Sequence, residues 1–143
     1  MIKVYIFLFL LSFIVPMKSE IKSPVFVASE LLIYDNEGDM IEACRKYQPI
    51  NQESQKGFHK FTYDDRTVIQ CRIDSISSNR KTPIVKVTTN KNNKELEKTL
   101  KELGYEKNGN EYQKGTKHNQ SISVCQFDKH DAKTLNFTKF YNK

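Results

Sequence analysis

The stretch Gly57-Phe58-His59-Lys60-Phe61-Thr62-Tyr63 alternates as a β-strand does, and the fold is organised around it. Because successive side chains of a strand point to opposite faces, His59 shares a face with Phe61 and Tyr63, while Lys60 lies on the other. The unperturbed pKa of histidine is the nearest to neutrality of any side chain, so this imidazole suits proton transfer. Packing between two aromatic rings is the alternative that the pattern leaves open.

The segments around this strand predict two helices and further strands. A helix is predicted after the acidic turn at 35–39, because the apolar residues that follow recur at helical spacing, namely Met40, Ile41, Cys44 and Tyr47. A second helix is predicted from Asn93 to Leu103, with leucines on one side and Gly104 at its end. A strand or a short pair of strands is predicted at 24–34, and further strands at 68–73, 82–88, 122–127 and 135–141, with a hairpin at 105–112.

Three polar segments, 50–56, 75–81 and 113–120, are predicted to be loops, and the sequence reveals no internal repeat. The elements together predict an α+β fold, in which a helix packs on a twisted, mainly antiparallel sheet and a second helix is inserted.

The N-terminus predicts a secretory signal peptide. Met1-Ile2-Lys3 precedes an apolar run from Val4 to Val15, which is shorter than the roughly 20 residues that a membrane span requires. We expect cleavage after Ser19, with an uncleaved N-terminal anchor as the alternative, and a single domain at 20–143. Because residues 1–19 contain two lysines and no acid, the net charge falls from +6 to +4. This mild basic excess fits an RNA partner and an ordinary protein surface equally.

Three cysteines, Cys44, Cys71 and Cys125, follow the signal peptide, and an oxidising destination favours one disulfide and one remaining thiol. The bridge is expected to include Cys125, because a long closed loop restricts the unfolded chain most. The scattered histidines suggest no metal site. Asn119 and Asn136 begin Asn-X-Ser/Thr sequons and are candidate glycosylation sites in exposed turns or strand edges.

Three short motifs give the chain a family resemblance: Ile41-Glu42-Ala43-Cys44, Phe58-His59-Lys60-Phe61 and Pro83-Ile84-Val85. Their order resembles that of the small secreted fungal ribonucleases of the guanyl-specific class. It is also similar to the RNase-like secreted effectors of powdery mildews and related plant pathogens, which keep that fold and usually lose its catalysis. The resemblance covers 34–143 and implies a microbial ribonuclease-like sheet.

The resemblance also implies how far the catalytic groups are kept. His59 matches the family's first histidine and His130 its second, but Lys81 stands where the family has the glutamate base. A protonated lysine cannot act as a carboxylate base. No arginine is present near 121–124, where the family places its phosphate-binding arginine. The resemblance therefore implies a degenerate site, since cleavage needs charge aimed at the developing oxyanion.

The expected function is that of a secreted, non-catalytic RNase-like effector that binds a host protein or host RNA. Its expected binding residues are those around the central strand: His59, Lys60, Phe61, Tyr63, Arg80 and Lys81. The alternatives are an active secreted ribonuclease that uses His59 and His130, and an unrelated small secreted binding protein. We expect a monomer with no cofactor and no membrane association. Its expected location is outside the producing cell, with translocation into host cells as a further step.

Overall fold

Three helices and an eight-stranded sheet make up the described part of the chain, which is residues 23–77, 80–116, 121–131 and 133–141 of a computed structural model. The helices are α1 (Pro24–Leu31), α2 (Glu37–Arg45) and α3 (Asn93–Glu102). The strands are β1 (Asn51–Gln55), β2 (Phe58–Thr62), β3 (Val68–Ser77), β4 (Arg80–Thr88), β5 (Glu106–Asn108), β6 (Glu111–Thr116), β7 (Ser121–Phe127) and β8 (Thr134–Tyr141). The predicted signal peptide and Asn119 lie outside the described residues.

All neighbouring strands pair antiparallel, in the order β1-β2-β3-β4-β8-β7-β6-β5. The helices pack on one face of the sheet, where the core is formed by buried side chains that include Phe61, Ile69, Val85, Leu135 and Phe137. The predicted α+β fold, with helices packed on an antiparallel sheet, is therefore confirmed. The second predicted helix, the strands after residue 57 and the hairpin centred on Asn108-Gly109 are also present.

The segment 24–34 was predicted to be a strand, and this prediction is wrong. Ser23 caps a helix instead, since its side chain accepts a hydrogen bond from the backbone N–H of Phe26 at 3.2 Å, and Pro24 fits the first helical turn. Val25, Ala28 and Leu31 are buried on one side of α1, which packs on β4 and α3. Tertiary burial of this stripe outweighs the strand preference of the valines in the segment and of Ile33.

The predicted loop at 50–56 is also wrong, because residues 51–55 form the edge strand β1. Every residue of this strand is exposed, and its backbone pairs with β2 alone. Hydrogen bonding therefore defines β1 without the apolar alternation by which strands are predicted. Similarly, the first residues of the predicted loop 113–120 continue β6 up to Thr116. The predicted loop 75–81 belongs to strands at both its ends, since β3 extends to Ser77 and β4 begins at Arg80.

The sheet consists of two similar halves, which corrects the expectation of no internal repeat. Each half is a helix followed by a four-stranded meander: α2 with β1 to β4, and α3 with β5 to β8. The strands read 1-2-3-4 from one edge and 5-6-7-8 from the other, and β4 pairs antiparallel with β8. A two-fold rotation about an axis between β4 and β8 would produce this arrangement.

We call this two-fold arrangement the duplication. Once the strands are matched, the two halves also share residue types at equivalent places. Cys71 of β3 and Cys125 of β7 occupy equivalent places, because Cys71 pairs with Val85 of β4 and Cys125 with Phe137 of β8. The segments Val68-Ile69-Gln70-Cys71-Arg72-Ile73-Asp74 and Ile122-Ser123-Val124-Cys125-Gln126-Phe127-Asp128 share an apolar first residue, the cysteine, an apolar sixth residue and the final aspartate. A Lys-Thr pair follows each of them, at 81–82 and at 133–134.

The two equivalent helices begin and end alike. Asn36 caps α2 by accepting from the N–H of Asp39 at 2.8 Å, and Asn92 caps α3 by accepting from the N–H of Glu95 at 2.9 Å. Just beyond their C-termini, Gln48 and Gly104 both have positive φ, 53° and 95°. This left-handed residue ends a helix at little steric cost for glycine and at a higher cost for glutamine.

Candidate functional site

The central strand places His59 on the helix-covered face, together with two aromatic residues that are part of the core. Phe61 and Tyr63 both have zero exposed surface, and the Tyr63 hydroxyl donates a 2.8 Å hydrogen bond to the backbone oxygen of Cys44. Rings enclosed in this way cannot stack on a base or contact a partner. The expectation that these two rings form part of a binding surface is therefore corrected: they hold α2 against the sheet.

His59 itself lies at the border of this core, beside the first turn of α2. Its Nε2 is 3.1 Å from Oε2 of Glu37, and 27% of its side chain is exposed. A carboxylate in the first turn of a helix is favourably placed with respect to the helix dipole. Glu37 therefore orients the imidazole and connects it to α2.

The remaining residues of the expected site do not gather around His59. Lys60 lies on the opposite face of β2, where its Nζ is 3.5 Å from Oε1 of Glu53. Lys81 is exposed near the start of β4, opposite Ser75 of β3. Arg80 begins β4, and its side chain lies outside the described atoms. The structure thus separates the members of the set that the sequence grouped.

His130 is too far from His59 for the two to act on one phosphate. A row of backbone partners joins His59 to Cys125 across β3, β4 and β8. Four strand spacings of about 4.8 Å make this row roughly 19 Å long. His130 lies five residues after Cys125, in the exposed turn that follows β7, where its N–H donates to Oδ1 of Asp128 at 2.9 Å. General acid and base groups have to reach the same reacting atoms within hydrogen-bond distance.

The face of the sheet opposite the helices is covered by none of the described elements, and we call it the open face. Side chains from six of its strands identify it: Lys60, Arg72, Ile84, Lys86, Thr138, Phe140, Val124 and Glu111. Phe58 anchors one half of this face, because the guanidinium carbon of Arg72 lies 4.3 Å and Nζ of Lys86 lies 5.1 Å from the centroid of its ring. Such cation–π contacts hold both cations along the sheet.

A groove of about 280 Å³ runs along the open face over the seam between β4 and β8. Ile84, Val124 and Phe140 line it with apolar surface, and Lys86 and Glu111 lie among its polar residues. Phe140 is 54% exposed, which is unusual for a phenylalanine in a β-strand. A shallow apolar groove with charged groups beside it has the composition of a protein-binding surface.

The described charges of the open face on β1–β4 and β6–β8 are balanced. The cations are Lys60, Arg72 and Lys86, and the carboxylates are Glu53, Asp74 and Glu111. Two of the cations have carboxylate partners on the same face, since Arg72 Nε is 3.0 Å from Asp74 Oδ1 and Lys60 contacts Glu53. Affinity for nucleic acid depends on uncompensated positive charge along the phosphate backbone. The open face lacks this excess among the described side chains.

Asn136 does not match the exposed turn or strand edge that was expected of a glycosylation site. It lies within β8, between β4 and β7, and its Nδ2 donates to Oδ2 of Asp128 at 3.3 Å. Glycosylation modifies that nitrogen, which this hydrogen bond engages in the folded protein.

Among the described residues, no group of three or more His, Cys, Asp or Glu is arranged to hold a metal ion. Within the same residues, no helix has the length and apolar character needed to cross a membrane. Comparison of the chain with protein-family models, with curated proteins and with solved structures finds no match.

Sequence reasoning missed most of the open face. It identified only the residues on the second side of the central strand. Alternation separates Phe58 and Lys60 from Phe61, but it does not reveal which of the two faces the helices cover. Because 24–34 was predicted to be a strand, the helix α1, which covers one of the two faces, was not expected. The contribution of Phe140 further depended on β8 lying at the centre of the sheet, which the order of strands along the chain does not indicate.

Proposed function

We propose that this protein is a secreted, non-catalytic effector that binds a host protein through the open face of its sheet. The observation that carries the proposal is the open face itself, with its apolar groove at the β4–β8 seam and the solvent-exposed Phe140. Secretion and the effector role depend on the predicted signal peptide and on the family resemblance. The balanced charge of the open face favours a protein partner over RNA.

Two exposed phenylalanines on opposite sides of the molecule provide a matched test. Phe140 on the open face is 54% exposed and Phe26 on α1 is 48% exposed. A photoreactive phenylalanine analogue would be placed at either position and irradiated in a host-tissue extract. We expect a discrete protein adduct from position 140 and none from position 26, and excess unmodified protein should abolish this adduct.

The competitor also locates the binding surface. A Lys86→Glu competitor should compete poorly, whereas Lys98→Glu on the exposed side of α3 should compete as well as the unmodified protein. Equal labelling from both phenylalanines would contradict the proposal. Crosslinked RNA in place of protein would contradict the choice of partner.

The ribonuclease alternative is tested directly with the full chain and RNA. We expect no cleavage, because His59 and His130 lie far apart and Lys81 replaces the base of the family that the chain resembles. Cleavage that is abolished by His59→Ala and by His130→Ala would establish the enzyme. RNA binding without cleavage, weakening steeply as salt rises, would instead assign an RNA-binding role.

A further inference from the structure

Two of the three cysteines meet in the core, between α2 and the sheet. Cys44 on α2 and Cys71 on β3 are both completely buried, and their thiols are in hydrogen-bonding contact. The hydrogen bond from the Tyr63 hydroxyl to the backbone oxygen of Cys44 holds this part of α2 over β2 and β3. Packing of the core therefore brings the two thiols together without a covalent bond between them.

The third cysteine is out of reach of Cys71. Cys71 and Cys125 are joined by a row of partners through Val85 and Phe137, which is three strand spacings, or roughly 14 Å. A disulfide requires Cα atoms about 4.4–6.8 Å apart. Comparison of the two halves also leaves Cys125 without a partner. The residue of α3 equivalent to Cys44 is Leu100, which cannot form a disulfide. Cys125 thus has the place of Cys71 in its own half but faces a helix that carries leucine.

We propose that Cys44 and Cys71 form a disulfide bond when the protein folds in an oxidising compartment, and that Cys125 remains a thiol. This bond replaces the bridge to Cys125 that was expected from loop length. It joins α2 to β3 and encloses the central strand β2.

The oxidant is a low-molecular-weight disulfide, such as oxidised glutathione, or the active-site disulfide of an oxidoreductase. One cysteine thiolate attacks the oxidant and releases one thiol, leaving a mixed disulfide on the protein. The second cysteine then attacks its own partner's sulfur in that mixed disulfide and releases the second thiol. One oxidant disulfide is thereby reduced to two thiols for each protein disulfide formed.

The folded core makes this reaction slow once folding is complete. The hydrogen bond with Cys44, together with burial, raises the pKa of the Cys71 thiol, so little thiolate is present. Both sulfurs are moreover closed off from solvent by the core. The disulfide therefore forms while α2 is docking, and the reduced folded protein should react slowly with the same oxidant.

Trypsin provides a direct test, because its cleavage sites put each cysteine on a separate peptide: 23–45, 67–72 and 118–129. The full chain would be refolded in a glutathione redox buffer, then unfolded and alkylated in denaturant without reduction, digested and analysed by mass spectrometry. We expect peptide 23–45 linked to 67–72, and peptide 118–129 alkylated at Cys125. A linkage that includes 118–129, or alkylation of all three peptides, would overturn the proposal.

Stability supplies a second readout that does not depend on digestion. Reduction should lower the stability of the unmodified protein and of Cys125→Ala, raising the unfolding equilibrium constant by roughly 10² to 10³, as expected for a closed loop of about 28 residues. Cys71→Ala should show no such effect of reductant. If Cys71→Ala fails to fold, the Cys125→Ala protein still decides the question, since indifference of that variant to reductant would refute the bond.

Discussion

At the scale of single residues, Tyr63 shows how one hydroxyl holds a helix to the sheet. Its buried O–H donates to the backbone oxygen of Cys44, whereas the more exposed Tyr47 donates to Oε2 of Glu30 at 3.2 Å. We expect Tyr63→Phe to lower the free energy of unfolding by about 1–1.5 kcal/mol, as loss of a buried hydrogen bond does. Tyr47→Phe should change it by less than about 0.5 kcal/mol. Urea denaturation of both variants measures the difference. Equal losses would mean that the buried hydrogen bond contributes no more stability than the exposed one.

A second prediction at this scale concerns alkaline pH. Burial and a hydrogen bond to Glu97 raise the pKa of Tyr112 to about 12. The unfolded chain releases this proton near pH 10, so Tyr112 stabilises the fold below pH 10 and loses that contribution as the pH rises towards 12. We expect Tyr112→Phe to show a smaller loss of stability over this window than the unmodified protein. Superimposable curves of unfolding free energy against pH would contradict this assignment.

Residue patterns could predict the two sides of β2 but not their roles. Alternation correctly grouped His59 with Phe61 and Tyr63. Alternation does not show that the shared face is the buried core, since aromatic residues alternate with histidine in the same way in a core and in a binding site. The distance between His59 and His130 depends on the order of strands across the sheet, which is a property of the whole chain.

At the scale of elements, the two asparagine caps are equivalent and should contribute equally. We expect Asn36→Ala and Asn92→Ala each to lower stability by about 1 kcal/mol, because each removes an acceptor for an N–H in the first helical turn. Asn93→Ala changes a neighbouring exposed residue inside α3 and serves as the control, for which no loss is expected. Thermal or chemical unfolding would measure the stability of the three variants. A loss for Asn93→Ala as large as those for Asn36→Ala and Asn92→Ala would contradict the cap contribution.

The elements that were predicted correctly are those whose own sequence contains their signal. α3 has leucines at helical spacing and an Asn-capped start, and β3 alternates apolar and polar residues. α1 was mistaken for a strand because its valines favour strands locally, whereas the helix is stabilised by packing on β4 and α3. β1 was missed because a strand paired on one side, with every side chain exposed, needs no apolar residue.

At the scale of the whole molecule, the duplication predicts a disulfide that the protein does not have. Leu100 and Cys125 occupy the places that Cys44 and Cys71 occupy in the first half. Leu100→Cys should therefore create a second bond under oxidising refolding, detected as a link between the tryptic peptides 99–101 and 118–129. Thr99→Cys, one residue away on α3, is the control and should remain unlinked. Failure of Leu100→Cys to bond would mean that the two helices dock differently on their meanders.

The duplication escaped detection in the sequence because it survives at few positions. The matched β3 and β7 segments share the cysteine and the aspartate, with similar apolar residues around them, and the helices share their caps. The lengths of the connections differ between the halves, so no constant spacing relates them along the chain. Matching backbone partners across the sheet, which removes the variable connections, makes the equivalence apparent.

The pairing of β4 with β8 has a consequence for how such a protein could arise. A single half would end in an unpaired β4 whose Ile84, Val85 and Val87 sit on a bare edge, and it would have to associate with a second copy to cover that edge. Fusion of two copies makes this association intramolecular, so that it no longer requires a high concentration of subunits. Fusion also frees the two halves to diverge, as the cluster of Phe58, Arg72 and Lys86 in only one of them illustrates. The fused chain should therefore keep its fold on dilution, and its unfolding midpoint should be the same over roughly a hundredfold range of concentration.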